Sequence, residues 1–206
     1  TDADYLPAIE QGMREQRAEI EQIANDPAAP TFENTYVALE KTGAMLNRVM
    51  GAFNAVTSAN TNDTLQKTQE TIAPELAAHE DAIHMDAKLF ARIQAVYDQR
   101  ADLNLDPESA RLVEVVYRDF VHSGAKLSDQ DKAELKALNK EESTLSASFV
   151  NHLLAATRDA APVLADQAQL AGLSAAELAA AAAAGKERGQ DGKYVLPLQN
   201  TTQQPE

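Results

Sequence analysis

The chain has 206 residues, which is enough for one large domain or two small ones with a buried hydrophobic core. Its formal net charge of −14 repels phosphate groups and argues against nucleic acids and anionic membranes as partners. The absence of cysteine excludes disulfides, thiolate nucleophiles and cysteine-ligated zinc sites, although it does not fix the compartment.

The first half of the chain reads as successive helices with recognisable starts and stops. Asp26-Pro27 should end the first helix, Thr31 should cap the second, and Asn62 should begin the third. Pro74 should bend this third helix or mark a boundary in it. Apolar residues at helical spacing support the first two helices: Leu6, Ile9, Met13, Ile20 and Ile23, then Leu39, Leu46, Val49, Phe53 and Val56.

Three further helices follow. Asp86 should cap the first of them, and Asp106-Pro107 with Gly124 gives the second an N-cap, a first-turn proline and a terminator. Ser128 and Asp131 should open a long helix of about 28 residues. The helix that begins at Pro107 should bury a stripe of Leu112, Val116 and Phe120. The long helix should carry an apolar stripe along one side, formed by Leu135, Leu138, Leu145, Phe149 and Leu153.

After residue 160 the pattern changes to strand, helix and strand. The sequence "APVLAD" and the run from Tyr194 to Leu198 are strand candidates, and Ser174 with Glu177 forms a capping box for the helix between them. We therefore predict an all-α fold of mainly antiparallel helices, one or two of them long, with a short two-stranded β element near the C-terminal end. Residues 1–160 should form a helical lobe, and residues 161–206 a segment that continues into further structure, because the polar ending "TTQQPE" supplies no closing element.

The stretch "AAHEDAIHM" raises the question of a zinc-peptidase motif. In H-E-x-x-H, two histidines four residues apart bind the metal and the glutamate activates water. Here His79 and His84 are five residues apart, which separates them by about 140° around a regular helix. The spacing favours a solvated or partly packed helix face over a zinc site that would also use Glu80.

The remaining candidate groups also lack the pattern of a catalytic site. His122 lies in the last turn before Gly124, where a cation suits the helix dipole, and His152 is interpreted as a surface residue. The pairs Glu80-Asp81 and Glu141-Glu142 are adjacent on helices, so their side chains point apart and do not form an acid–base dyad. We predict no catalytic residue and no metal ligand in this chain, and its substrate-binding residues are unknown.

Several segments, in order, carry a family resemblance. They are "PAIEQGMREQRAEIEQIANDPAAPTFENTYVALEKTG", "HMDAKLFARIQAVYDQRADLNLDPESARLVEVVYRDFVHSGAKLS", "LNKEESTLSASFVNHLLAAT" and "LAGLSAAELAAAAAAGKERGQDGKYVLPLQNTTQQP". They resemble the N-terminal part of the thimet-oligopeptidase family of zinc metallopeptidases. The bacterial peptidyl-dipeptidase (dipeptidyl carboxypeptidase) branch is the better match, and "LPLQNTTQQP" favours it over the oligopeptidase A branch.

The resemblance implies a zinc enzyme whose metal site lies elsewhere. In this family the H-E-x-x-H helix and a third ligand, a downstream glutamate, lie far toward the C-terminus, so no residue of this chain inherits a catalytic role. The intact enzyme would hold one zinc ion and release dipeptides from the C-terminus of oligopeptides. This fragment, inactive alone, would pack against the remaining C-terminal region and form a wall of a channel that admits only short peptides. We expect a cytoplasmic protein, or a periplasmic one if a signal peptide has been removed.

The composition alone also allows a free-standing acidic helical interaction or scaffold protein. The two hypotheses differ in the surface that they predict. A lobe separated from the rest of an enzyme should expose a sizeable apolar patch, whereas a free-standing scaffold need not.

Overall fold

A computed structural model describes residues 1–198, and the chain divides into two compact units, Thr1–Ala147 and Ser148–Glu206. The polar ending, residues 201–206, lies outside the described residues. The elements are α1 (Tyr5–Ala24), α2 (Ala38–Glu40), α3 (Ala44–Ala59), α4 (Asp63–His84), α5 (Ala87–Asp98), α6 (Pro107–His122), α7 (Asp129–Asp159), β1 (Val163–Leu164), α8 (Ala175–Glu187) and β2 (Tyr194–Val195). The prediction of a helical fold with one short β element is confirmed.

Helix α1 organises the first unit because it contributes to two hydrophobic clusters. Its N-terminal half packs Ile9 and Met13 against α3 and α4, and its C-terminal half packs Ile20 and Ile23 against α5 and α6. These are four of the five residues in the predicted stripe, and Leu6 is half-buried at its edge. The 3.6-residue period of the apolar positions therefore predicted this helix and its buried face correctly.

The predicted second helix is interrupted. Thr31 caps it as expected, since its side chain accepts a hydrogen bond from the backbone N–H of Asn34 at 3.1 Å. The chain then winds through a π-helical turn, Phe32–Val37, into α2, and breaks before α3. At the break Gly43 adopts φ = 70° and donates its N–H to Glu19 Oε2 at 2.8 Å. A left-handed residue ends a helix, and glycine adopts that conformation at little cost.

Pro74 lies inside α4 and does not end it, so of the two predicted outcomes, a bend or a boundary, the boundary is wrong. A proline in a helix interior costs about 3 kcal/mol because it removes one backbone hydrogen bond and crowds the preceding turn. Burial on both sides of it offsets this cost, since Leu65 and Ile72 precede it in the core and Ile83 follows it.

Both predicted caps of the next two helices are confirmed. Asp86 accepts hydrogen bonds from the backbone of Leu89 at α5, and Asp106 accepts them from Ser109 at α6. Gly124 follows α6 with φ = 97°, as a terminating glycine should. In the stripe of α6, Phe120 is buried as predicted, but Val113 and not Leu112 is fully buried at its beginning.

Replacing Tyr36 by phenylalanine should lower the free energy of unfolding by about 1 kcal/mol. Tyr36 is fully buried and its hydroxyl donates a hydrogen bond to the carbonyl oxygen of Ile93 at 3.0 Å, which the substitution removes without leaving a large cavity. Urea unfolding followed by circular dichroism measures the loss. The partly exposed Tyr5 provides the control, since Tyr5→Phe should change the same quantity by less than about 0.5 kcal/mol. Equal effects at the two positions would contradict this account of Tyr36.

Helix α7 begins as predicted, with Ser128 Oγ accepting from the backbone N–H of Asp131 at 3.2 Å, but it packs differently from the other helices. Its first half is attached to the first unit by Asn139, which donates to Asp81 Oδ1 at 2.7 Å, and by Lys132, which donates to the carbonyl of Met85 at 3.3 Å. Among its 31 residues, all described, none is buried. Much of its predicted apolar stripe is therefore exposed to solvent, namely Leu138, Leu145, Phe149 and Leu153.

The second unit contains the predicted β element. Strands β1 and β2 pair antiparallel, with Val163 opposite Val195 and Leu164 opposite Tyr194. Helix α8 begins at the predicted capping box, and Gly185 lies so close to the residue before β2 that an added Cβ would clash with the carbonyl oxygen of Lys193. Within residues 1–198, no helix combines the length and the apolar character that crossing a membrane requires.

Candidate functional site

The stretch around His79 and His84 lies in the last two turns of α4. The helix begins at Asn62, whose side chain accepts from the backbone N–H of Leu65 at 3.0 Å. Continuous helix geometry then fixes which way each histidine points, because neither position coincides with a bulge. The surroundings of the two rings show whether they share a face.

His79 points into the core of the first unit. Its side chain has no exposed surface, and its Nε2 lies 2.7 Å from Gln16 Oε1. Arg17 Nε donates to Nδ1 at 3.2 Å, so Nδ1 is the acceptor and the ring proton resides on Nε2, which donates to Gln16. The interpretation of His79 as a solvated or partly packed residue is wrong, because it is a buried polar link between α4 and α1.

This environment keeps the imidazole of His79 neutral. Burial, reinforced by the positive charge of Arg17, lowers the pKa of His79 from 6.5 to about 4. A neutral imidazole can bind a metal only through a nitrogen with a free lone pair. Here the lone pair of Nδ1 is already used by Arg17, and Nε2 carries the proton.

His84 lies on another face of α4. Its ring centroid is 4.8 Å from that of Phe120 on α6, and its Nδ1 lies 3.0 Å from the carbonyl oxygen of Glu80. The two histidines therefore point toward different helices, as the five-residue spacing predicts. They do not converge on one tetrahedral position.

Two open clefts flank His84 in the first unit. Their volumes are about 300 and 390 Å³, and Glu80 and His84 line both of them. Three acidic side chains and no Lys or Arg line each cleft: Glu80 is common to both, with Glu40 and Asp119 in the smaller cleft and Asp81 and Glu142 in the larger one. Such a lining repels carboxylates and phosphates.

The two clefts bring acidic side chains near one another without forming a metal-binding cluster among the described residues. Within residues 1–198, no cluster of three or more His, Asp or Glu side chains is placed to hold a metal ion. Asp81 is the only buried carboxylate within residues 1–198, and its Oδ1 accepts a hydrogen bond from the side-chain amide of Asn139 at 2.7 Å.

The other two histidines are where the sequence placed them. His122 is the last residue of α6 and is exposed at the rim of the larger cleft. His152 is exposed on α7.

The polar contacts that the sequence did not predict are those of Gln16 and Arg17 with His79, since these residues lie more than 60 positions apart and no local spacing relates them.

Comparison with known proteins finds matches along nearly the entire chain. It is 48% identical to the dipeptidyl carboxypeptidase of Salmonella typhimurium over 204 residues and 50% identical to that of Escherichia coli over 201 residues. These alignments include 99% and 98% of the chain, respectively, but only 30% of either relative. The oligopeptidase A of Haemophilus influenzae is 26% identical over 193 residues, which are 93% of the chain and 28% of that protein. No protein-family model matches the chain.

Proposed function

Since this chain is homologous to dipeptidyl carboxypeptidases along nearly all of its length, we propose that it is the non-catalytic N-terminal part of a zinc metallopeptidase. The whole enzyme would release dipeptides from the C-terminus of oligopeptides. The observation that carries the proposal is the level of identity, which is about twice that to oligopeptidase A, so the dipeptidase branch is favoured.

The residues present do not fit the zinc ion that the resemblance implies. The chain contains no H-E-x-x-H sequence, and the ring nitrogens of His79 are both engaged by Gln16 and Arg17. His84 faces Phe120 on another side of the helix. We therefore assign the zinc site to the part of the parent enzyme that these 206 residues do not include, and no residue of this chain to the chemical step.

The role proposed for this part is to form one wall of the substrate channel and to restrict access to short peptides. Two features support it. The first unit is built of closely packed helices with two hydrophobic clusters, which makes a stable wall. Its clefts are open rather than enclosed, which suits transient contact with a passing peptide better than tight capture of one, and their acidic side chains would keep the terminal carboxylate of the peptide away from this wall.

We also propose that the protein is located in the cytoplasm, with the periplasm as the alternative. Cell fractionation distinguishes the two compartments.

The test is peptide hydrolysis by the full-length enzyme and by the 206-residue chain, each supplied with zinc. The full-length enzyme should release the C-terminal dipeptide from an unblocked oligopeptide, as detected by mass spectrometry. It should spare the same peptide with an amidated C-terminus, because amidation removes the terminal carboxylate that marks this end.

The 206-residue chain should release no product from either peptide. Cleavage by this chain alone would show that its active centre has been misassigned. Failure of the full-length enzyme to cleave the unblocked peptide would refute the proposed activity. A free-standing helical interaction or scaffold protein, the alternative function, predicts no hydrolysis of either peptide.

A further inference from the structure

The second half of α7 exposes a group of large apolar side chains in the second unit. Phe149 is 65% exposed, Leu153 55%, Val150 49% and Leu154 45%. They form two i, i+4 pairs on neighbouring positions of the helix, so their side chains make one continuous surface. We refer to these four residues as the α7 face. Scattered apolar residues are ordinary on protein surfaces, but a contiguous patch of this kind marks a site of interaction.

The sequence around this face differs sharply in charge from the rest of the helix. Residues 129–142 contain eight charged side chains, whereas residues 143–157 contain no Asp, Glu, Lys or Arg. A solvent-exposed helix keeps charged residues on its outer side, and a helix without them is normally buried. Depletion of charge is also what distinguishes the centre of a protein interface from the remaining surface.

We propose that the α7 face is the surface on which the remaining part of the parent polypeptide docks. This inference rests on the proposed function, because it takes its occupant from the longer relatives. The matched region is only 30% of each dipeptidyl carboxypeptidase, so more than twice as much polypeptide lies outside it as within it. Obligate interfaces are more hydrophobic than transient ones and resemble a domain core cut in half, which agrees with the uncharged, apolar character of this surface.

A second copy of this chain is a weaker candidate for the same surface. Each copy has a formal net charge of −14, and charges of the same sign oppose association. The remaining polypeptide is held at high effective concentration by its covalent connection, so it does not depend on overcoming this repulsion.

The experiment uses cysteine labelling, which suits a segment with no cysteine of its own. Leu153→Cys places a thiol in the α7 face, and Lys136→Cys places the control thiol on the exposed, charged half of the same helix. Each variant is prepared as the 206-residue chain and as the full-length enzyme, and reacted with a maleimide. Mass spectrometry of the labelled peptides reports each position separately from any other cysteine of the long form.

In the full-length enzyme the cysteine at position 153 should react at least about tenfold more slowly than in the 206-residue chain, because it reacts only when the interface opens. The control at position 136 should react at similar rates in both forms. Equal rates at position 153 in the two forms would overturn the proposal, and so would equal protection of both positions.

Sedimentation of the 206-residue chain tests the second copy as occupant. A dimer that protects position 153 in the short form would assign the face to self-association and overturn the proposal. The labelling result is independent of catalysis. Protection in a full-length enzyme that fails to cleave peptide would refute the proposed activity alone, whereas cleavage without protection would refute the docking surface alone.

Discussion

Replacing His79 by alanine is expected to lower the free energy of unfolding by about 3 kcal/mol. The substitution opens a cavity in the core and leaves Gln16 Oε1 and Arg17 Nε without the ring that now bonds both of them. Urea unfolding at neutral pH, followed by circular dichroism, measures the loss. The exposed His152 is the matched control, and His152→Ala should change the same free energy by less than about 0.5 kcal/mol. A loss as small as that of the control would mean that the contacts of His79 contribute nothing.

The same substitution should change how stability depends on pH. The pKa of His79 is about 4 in the folded chain against 6.5 for the free group, so the unfolded chain binds a proton that the folded chain rejects between these values. The stabilisation from the neutral ring is complete above pH 6.5 and is lost as the pH falls toward 4. The difference in unfolding free energy between wild type and His79→Ala should therefore shrink over this range, by up to about 3 kcal/mol. A difference that stays constant from pH 7 to pH 4 would contradict the assignment of a neutral, buried imidazole.

Replacing Gly12 by alanine is expected to lower the free energy of unfolding by about 2 kcal/mol. Gly12 is buried on α1 where this helix crosses α3, and an added Cβ would lie 2.8 Å from Leu46 Cα and 2.9 Å from Leu46 N. Those are backbone atoms, so relief of the contact requires the two helices to move apart. The loss is partly offset by the better helix propensity of alanine, which is worth about 1 kcal/mol.

Gly51 on α3 provides the control for Gly12. A Cβ at this position meets nothing within 4 Å, so Gly51→Ala adds helix propensity without a clash. It should raise the free energy of unfolding by up to about 1 kcal/mol in the same urea titration. If both alanine variants stabilised the chain, close packing of α1 on α3 would be excluded as the reason for glycine at position 12.

The features that the sequence predicted well are those set by neighbouring residues. Asp86 and Asp106 cap their helices because a cap needs only a carboxylate and the backbone N–H groups two and three residues later. The pairing of β1 with β2 could be predicted for a different reason. After residue 160 the sequence offered two strand candidates, and two short strands are expected to pair with each other.

The features that the sequence did not predict depend on distant contacts. Gly43 breaks the second predicted helix although the apolar period continues through it, and its N–H bonds to Glu19 on another helix. Pro74 is tolerated because core contacts on both sides outweigh its cost. His79 was assigned to a partly packed surface because its bonds to α1 cross more than 60 residues. The spacing rule that separates it from His84 is local, and that part of the prediction succeeded.

The uncharged half of α7 also has a consequence for how the parent polypeptide is made. On the ribosome, residues 143–157 leave the exit tunnel before any later residue, so their apolar side chains are uncovered until the docking segment has been translated. Bacterial synthesis proceeds at about 5–20 residues per second, so each hundred residues of delay leaves this helix in water for roughly 5–20 seconds. If the remaining polypeptide docks on the α7 face as proposed, the nascent chain would present during that interval an apolar surface that holdase chaperones could bind, and the full-length protein would cover it.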